Sequence, residues 1–301
     1  MLKSLVKRLP VVICLGLLLG TVPQTRAALP APKSPPYRLA LVLGGGAALG
    51  YAHLGVLKVL EENGIRPDLI VGTSMGAIVG GLYAGGNSPE KIISEAKHLS
   101  IFKLLHFKLM GLGFFDWTKT EAYLRSDLDH KTFADLQIPF AAIATDLVTG
   151  EEVVLDSGDV VKAVLASASV PGIYTPVKIG NHLLVDGGLV EDLPVRAAKR
   201  LGALHVIAVD VHHPLIKESI RTPFDAIRQA LYILHQNHAE NAKKLADVVI
   251  RPDLRKLSYT KFGAVQEGVE VGAAAAREQL PEIKALLLEV HRSAPVHHER
   301  N

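Results

Sequence analysis

The chain has few of the residues that mark several common protein classes. It holds one cysteine, Cys14, in 301 residues, so no disulfide can form within one copy, and small disulfide-stapled domains are excluded. No apolar run reaches the roughly 18 residues that a membrane-spanning helix needs. A formal charge of +3 is too small to indicate nucleic acid as a partner. What is abundant is hydrophobic residues at 49% and 26 glycines, a composition that predicts one large globular domain.

The first residues differ in character from the rest. Basic residues precede an apolar run at 11–22, and small residues follow it. This pattern predicts a signal peptide over residues 1–27, cleaved after Ala27, with an uncleaved anchor as the alternative. A stiff proline-rich leader is expected at 28–37. Loss of residues 1–27 would change the formal charge from +3 to −1, because four basic and no acidic residues leave with them. We expect a periplasmic or secreted protein.

Beyond the leader, apolar strand-like runs alternate with helical patterns. This order predicts an α/β fold with a mostly parallel central sheet. A polar tail is expected at 291–301. The predicted strands are 38–43, 69–73, 140–145, 153–156, 183–186 and 205–210, and the predicted helices are 50–63, 76–86, 118–128, 192–200, 223–246 and 264–290.

The run Gly72-Thr73-Ser74-Met75-Gly76 joins an apolar strand to a helix. This is the sequence form of a nucleophile elbow, in which a serine sits on a sharp strand-to-helix turn. Gly72 and Gly76 would relieve crowding where the chain doubles back. The first helix amides would face the place where negative charge develops. Ser74 is therefore the candidate nucleophile.

A glycine-rich loop, GGGAALG at residues 44–50, follows the first strand. Its bare amides suit either a cofactor pyrophosphate or the oxyanion of an acyl-transfer intermediate. Its spacing is one residue longer than the common dinucleotide fingerprint, and the next strand ends in Ser74 rather than in an acidic residue. We therefore favour an oxyanion loop over a cofactor loop. A dinucleotide-dependent oxidoreductase is kept as the alternative.

A serine hydroxyl is a poor nucleophile without a base, and Asp186 is the candidate base. It ends an apolar strand and precedes Gly187 and Gly188. That placement suits the sheet edge at which α/β proteins bind ligands. The alternative is an aspartate that caps a turn.

Four motifs occur together in one order: Gly44-Gly45-Gly46 with Gly50, the elbow at 72–76, the stretch Ala166-Ser167-Ala168-Ser169-Val170-Pro171, and Asp186-Gly187-Gly188. In this they resemble bacterial members of the patatin-like phospholipase family, over residues 38–290. The resemblance implies a three-layer fold, a Ser74/Asp186 dyad without histidine, and an acyl-enzyme. It also implies a glycine oxyanion loop in which the amides of Gly44, Gly45 and Gly46 are the donors. Gly50, Gly72, Gly76, Gly187 and Gly188 would support these motifs. It further implies no metal or other cofactor, and lipid acyl esters as substrates, of the phospholipase A or lysophospholipase type.

Two positions depart from the resembled pattern. Leu49 stands where many relatives carry arginine or lysine, and Ala47 where a fourth glycine is frequent. A non-catalytic lipid-binding protein on the same scaffold is the second alternative, and the intact Ser74 and Asp186 argue against it.

The thirteen histidines raise the question of a triad or a metal site. His53 is nearest in sequence to the glycine loop, and we expect it to pack or hydrogen-bond rather than react. His212 and His213 are expected in a solvated loop. A metal shared with Asp210 is not favoured, because adjacent residues on a strand face opposite ways. Asp146 and Asp156 are expected to be turn residues.

The segment 101–115 is dense in large apolar side chains bracketed by lysines. It fits either a lipid-facing lid or a helix packed on the core, with 111–115 as a structural connection. The expected partner is a lipid or acyl-ester substrate. Transient contact with a membrane surface stays open, and nucleic acid is not expected.

Overall fold

A computed structural model describes residues 37–98, 104, 106–108, 111–128, 131–212, 220, 229, 233–234, 236 and 239–292. The signal peptide, the leader up to residue 36 and the tail from residue 293 onward lie outside the described residues and stay predictions.

The strands are β1 Tyr37–Leu43, β2 Leu69–Thr73, β3 His106–Phe107, β4 Gly113–Asp116, β5 Phe140–Asp146, β6 Glu152–Leu155, β7 Gly172–Tyr174, β8 Val177–Ile179, β9 His182–Asp186, β10 Ala203–Val209 and β11 Val248–Ile250. The helices with described bounds are α1 Tyr51–Glu62, α2 Met75–Ala84, α3 Pro89–His98, α4 Thr118–Leu128, α5 Val160–Ser167, α6 Gly188–Glu191, α7 Val195–Arg200 and α8 Val265–Arg292. Short 3₁₀ turns lie at Ala47–Gly50 and Phe133–Asp135.

The main sheet has the order β11-β10-β1-β2-β5-β9-β8, and β6 also pairs with β5. All pairs from β11 to β5 are parallel, whereas β6, β8 and β9 pair antiparallel. The predicted α/β fold with a mostly parallel sheet is confirmed. A second, small sheet consists of β3, β4 and β7.

Helices cover both faces of the main sheet. Along β1, Leu39, Leu41 and Leu43 point into one core, which includes α1, α2 and α8, while Ala40 and Val42 point into another, which includes α7. Because side chains alternate along a strand, a strand buried on both faces reads as a continuous apolar run. The result is a three-layer α/β/α arrangement.

Several short elements have no counterpart among the predicted ones, among them α3, α5 and β11. Of the predicted helix 223–246, residues 229, 233–234, 236 and 239–243 are helical, and most of the remainder lies outside the described residues. No helix within the described ranges combines the length and the apolar character needed to cross a bilayer.

The apolar segment 101–115 is described only in part. Residues 106–107 pair antiparallel with 115–116, so a helix packed on the core is wrong for this portion. The expected structural connection at 111–115 contains β4, which also pairs with β7. The lid alternative stays a prediction.

Candidate active site

Strand register brings Ser74 and Asp186 together. Thr73, which ends β2, pairs with Ile143 of β5, and the next residue of β5, Ala144, pairs with Asp186 on the opposite side. Two strand spacings of about 4.8 Å thus separate the two backbones, a gap that two side chains can bridge. The Ser74 hydroxyl donates to the Asp186 Oδ2 atom at 2.7 Å.

Ser74 occupies a strained backbone conformation, with φ 53° and ψ −121°. A non-glycine residue keeps this backbone conformation only where many contacts with its surroundings fix it. The turn is tight enough that a Cβ atom at Gly76 would lie 2.1 Å from the Leu43 carbonyl oxygen, and one at Gly72 would lie 2.5 Å from the Gly76 carbonyl oxygen. The elbow needs glycine at both positions because backbone occupies the space of a side chain.

Asp186 is 7% exposed and is held at both carboxylate oxygens. The Gly188 N–H donates to Oδ1 at 2.8 Å, which leaves Oδ2 for Ser74. Burial raises the pKa of the Asp186 carboxyl to about 7; the hydrogen bonds from Gly188 and Ser74 lower it, and the nearby Asp192 carboxylate raises it further. A carboxyl group with this pKa exchanges protons near neutral pH.

The glycine loop presents fewer free amides than the sequence predicts. The Gly44 N–H donates to the Val209 carbonyl at 3.2 Å and the Gly45 N–H to the Asp192 carbonyl at 3.0 Å, so neither is free for an oxyanion. This corrects the assignment of Gly44 and Gly45 as donors. Among the three glycines, Gly46 keeps its N–H without an acceptor within the described residues, and the next amide, that of Ala47, is likewise without one there. Two engaged amides also leave less for a cofactor pyrophosphate.

Ala47 carries a second strained backbone, with φ 46°. This is the left-handed region that favours glycine, the residue frequent here in the resembled family. Leu49, in the place of a basic residue, is fully buried in the larger core. An arginine or lysine in the same conformation would have its stem in this core.

His53 forms a hydrogen bond with the glycine loop. It is fully buried, and its Nε2–H donates to the Gly44 carbonyl at 2.8 Å. Burial lowers the pKa of His53 to about 4, so the ring is neutral. The expected packing and hydrogen-bonding role is confirmed.

The stretch 166–171 forms hydrogen bonds with the backbone of both Ser74 and Asp186, a role that its sequence does not reveal. The fully buried Ser167 hydroxyl accepts the Ser74 N–H at 2.9 Å and donates to the Ile143 carbonyl. The Ser169 carbonyl accepts the Asp186 N–H at 2.9 Å. The Ser169 hydroxyl accepts from Trp117 Nε1 at 2.8 Å.

An apolar cavity of about 180 Å³ opens beside Ser74. One wall is a face of α2 formed by Met75, Ile78, Val79 and Leu82. At 1.5 Å per residue this wall runs about 11 Å from the elbow. The stacked rings of Trp117 and Tyr174, 3.9 Å apart, also line the cavity. Its shape and composition suit a hydrocarbon chain.

His212 does not lie in a solvated loop, as the sequence predicts, but is buried. Its Nδ1 lies 2.6 Å from Asp210 and its Nε2 contacts Asp192. The described residues bring together no group of three histidine, cysteine or acidic side chains arranged to hold a metal ion. Asp146 is the last residue of β5 rather than a turn residue, and its carboxylate caps the following turn by accepting the Val148 N–H at 2.8 Å.

The chain is similar to several known proteins. A family model described as patatin-like phospholipase matches residues 41–199, just over half of the chain. An uncharacterised NTE family protein of Mycobacterium bovis is 36% identical over 189 residues, which are 62% of this chain and 52% of the relative. A patatin-like phospholipase domain-containing protein of Homo sapiens is 35% identical over 58% of this chain and 13% of its own. A lysophospholipase of Lodderomyces elongisporus is 29% identical over 81% of this chain and 20% of its own. The chain thus spans about half the length of the mycobacterial relative, and much less of the other two.

Among solved structures, VipD from Legionella pneumophila is similar in fold. The TM-score is 0.52 at 14% identity, with 82% of this chain and 67% of that chain covered. At this identity the likeness concerns the fold alone.

Proposed function

Because the chain belongs to the patatin-like phospholipase family, we propose that it is a serine acyl hydrolase that cleaves carboxylic esters of lipids. The observation that carries this proposal is the 2.7 Å hydrogen bond between Ser74 and Asp186 beside an apolar cavity. The family relation supports lipid esters as the substrate class. The pairing of nucleophile and base supports the reaction type.

In the acylation step, Asp186 takes the proton of the Ser74 hydroxyl as its oxygen attacks the ester carbonyl carbon. The carbonyl oxygen becomes negative and accepts hydrogen bonds from the Gly46 and Ala47 amides. The Met75 amide is the first of α2 and has no acceptor within that helix. Collapse of the intermediate breaks the ester bond, and Asp186 returns its proton to the leaving alcohol.

Deacylation repeats these roles with water in place of Ser74. Asp186 takes a proton from the water that attacks the acyl-enzyme, and Ser74 leaves with that proton. The pKa of Asp186 near 7 suits both directions of transfer, because a base and its conjugate acid are both accessible near neutral pH.

The cavity along α2 provides a place for the acyl chain. Met75 at its start is next to the nucleophile, and Leu82 lies about 11 Å further along the helix. Burial of each methylene there gains roughly 0.8 kcal/mol. We therefore expect kcat/KM to rise with acyl length over a series of soluble esters, until the chain fills the cavity.

A Ser74→Ala variant tests the proposal. We expect the wild type to hydrolyse a soluble fluorogenic ester and to be labelled by a fluorophosphonate at Ser74. The variant should do neither while its circular dichroism stays unchanged. Hydrolysis at the wild-type rate by purified Ser74→Ala would exclude the mechanism. Liposome binding without any turnover by the wild type would instead favour the non-catalytic lipid-binding protein.

We also propose that the β3–β4 hairpin contacts the lipid surface. Three of its side chains are unusually exposed, Phe107 at 61%, Leu112 at 61% and Phe114 at 64%, and Lys108 beside them is also exposed. Aromatic and cationic side chains together suit the interface of an anionic bilayer. The hairpin adjoins the cavity, since Phe115 of β4 pairs with Tyr174 in its wall.

Turnover of phospholipid in anionic vesicles, compared with a soluble ester, tests this contact. We expect Phe114→Ser to reduce vesicle turnover and leave soluble-ester turnover unchanged. Val148→Ser is the matched control, because Val148 is 80% exposed in a turn outside the hairpin. Equal loss in both assays, or equal behaviour of the two variants, would contradict the proposal.

A further inference from the structure

A buried ionic cluster adjoins the glycine loop, which it contacts through Asp192. Its centre is His212, whose Nδ1 lies 2.6 Å from Asp210 Oδ1 and whose Nε2 contacts Asp192 Oδ2. All three side chains are less than one tenth exposed. Lys243 Nζ and Arg251 Nε approach the second oxygen of Asp210 at 3.2 and 3.5 Å. None of these side chains touches the reacting atoms in the chemistry described above, although the Asp192 charge raises the pKa of Asp186.

The charges of this cluster favour a protonated His212. Burial alone would favour the neutral ring, but the carboxylates of Asp192 and Asp210 outweigh it and raise the pKa of His212 to about 10. A buried carboxylate is costly without compensating charge, so the imidazolium helps to keep the Asp192 side chain in place.

Asp192 connects this cluster to the loop in two ways. Its main-chain carbonyl accepts the Gly45 N–H at 3.0 Å. Its carboxylate packs on the same glycine, because a Cβ atom at Gly45 would lie 2.3 Å from Asp192 Oδ1 and 3.4 Å from Ser74 Cβ. The position of Gly45, between Asp192 and Ser74, therefore depends on where the Asp192 side chain is held.

We propose that His212 is a positioning residue: through its Nε2 contact with Asp192 it fixes Gly45, and thereby aims the next two amides, those of Gly46 and Ala47, at the reacting carbonyl. This inference rests on the proposed function. It concerns the transition state rather than ester binding, since oxyanion donors act where charge develops.

Two substitutions at His212 separate this role from general support of the fold. His212→Gln keeps an amide donor near the place of Nε2 and so keeps the Asp192 side of the bridge. His212→Asn keeps one near Nδ1 and so keeps the Asp210 side. The measurements are kcat and KM for a soluble ester, with thermal unfolding of each variant.

We expect His212→Asn to lower kcat about 10- to 100-fold with KM almost unchanged, because a misplaced catalytic group costs up to about 100-fold. His212→Gln should keep kcat within about fivefold of the wild type, since one donor still reaches Asp192. A purely structural role predicts losses that follow thermal stability and not this order. Equal kcat values for the two variants, or a lower value for His212→Gln, would overturn the inference.

Asp192→Ala provides a second test that does not depend on the folding of either His212 variant. It removes the carboxylate and keeps the main-chain carbonyl, and His212 keeps its contact with Asp210. We expect a loss of kcat at least as large as for His212→Asn, because the change removes the same contact and also the Asp192 charge that raises the pKa of Asp186. Adding His212→Asn to Asp192→Ala should then lower kcat no further. Wild-type kcat in folded Asp192→Ala would overturn the inference. A wild-type enzyme that neither turns over esters nor reacts with a fluorophosphonate would overturn the proposed function itself.

Discussion

Replacement of Asp186 by asparagine removes a buried charge and changes almost nothing in shape. The asparagine Oδ1 atom can accept the Gly188 N–H, and its amide can donate to the Ser74 hydroxyl, so both existing contacts keep a partner. The variant should therefore fold. It should also lose the base, and a general base contributes typically 10²- to 10⁴-fold to a rate, so we expect kcat to fall by about that factor.

The change in stability follows from the pKa of Asp186. Burial raises this pKa from 3.8 to about 7, and a difference of about three units corresponds to roughly 4 kcal/mol. The folded chain binds this proton more tightly than the unfolded chain. Its contribution to stability is therefore fully present below about pH 4 and is lost as the pH rises through 7. Asparagine does not titrate, so the advantage of Asp186→Asn over the wild type should grow by roughly 4 kcal/mol between pH 4 and pH 8.

Urea unfolding of both proteins at several pH values measures this difference directly. Trp117 is the only tryptophan and is 9% exposed, so its fluorescence reports the transition. Other titrating groups contribute equally to the two proteins and cancel in the difference. A free-energy difference that does not change with pH, or a variant that is less stable than the wild type at pH 8, would refute the reasoning about Asp186.

Three further outcomes follow from the same geometry. Ser167→Ala leaves the Ser74 N–H without its acceptor and removes a donor from the Ile143 carbonyl, so we expect a loss of roughly 1 to 3 kcal/mol in urea unfolding and a lower kcat. The control Ser169→Ala should lose stability with less effect on kcat. Ala47→Gly should remove a backbone strain of roughly 1 to 2 kcal/mol from the folded state. Glycine also stabilises the unfolded chain by roughly 0.4 to 1 kcal/mol through its greater conformational entropy. Thermal unfolding should therefore show a slight net stabilisation, and destabilisation would argue against the strained conformation. The pH profile of kcat/KM should fall on the acid side with a midpoint near 7, where Asp186 becomes protonated, and a midpoint near 4 would indicate an exposed carboxylate.

The fold and the paired residues could be predicted from the sequence because their signals are local. Strands that are buried on both faces read as apolar runs, and the glycines around Ser74 and Asp186 mark places where backbone approaches closely. The order of such motifs along the chain then suffices to recognise the family. Short elements such as α5 and β8 carry too few residues for a period to show.

The loop contacts could not be predicted because they join residues far apart in sequence. Whether the amides of Gly44 and Gly45 are free depends on Val209 and Asp192, which follow more than a hundred residues later. The burial of His212 is hidden in the same way. The sequence shows only that His212 follows a strand and precedes another histidine. The contact of its Nε2 atom with Asp192 depends on the fold.

The proposed mechanism needs no histidine, because burial would give the Asp186 carboxylate the basicity that an imidazole supplies in a triad. A carboxylate with its ordinary pKa of 3.8 is a weak base toward a serine hydroxyl, whereas one near 7 takes that proton with roughly 4 kcal/mol less cost. The free energy that makes Asp186 basic is the same free energy by which its ionised form destabilises the folded chain. The hydrogen bond from Gly188 limits this cost and directs Oδ2 to Ser74. Greater basicity of Asp186 therefore comes with lower stability of the folded chain. A change that lets water reach Asp186 should raise the stability of the fold and lower the basicity of the carboxylate.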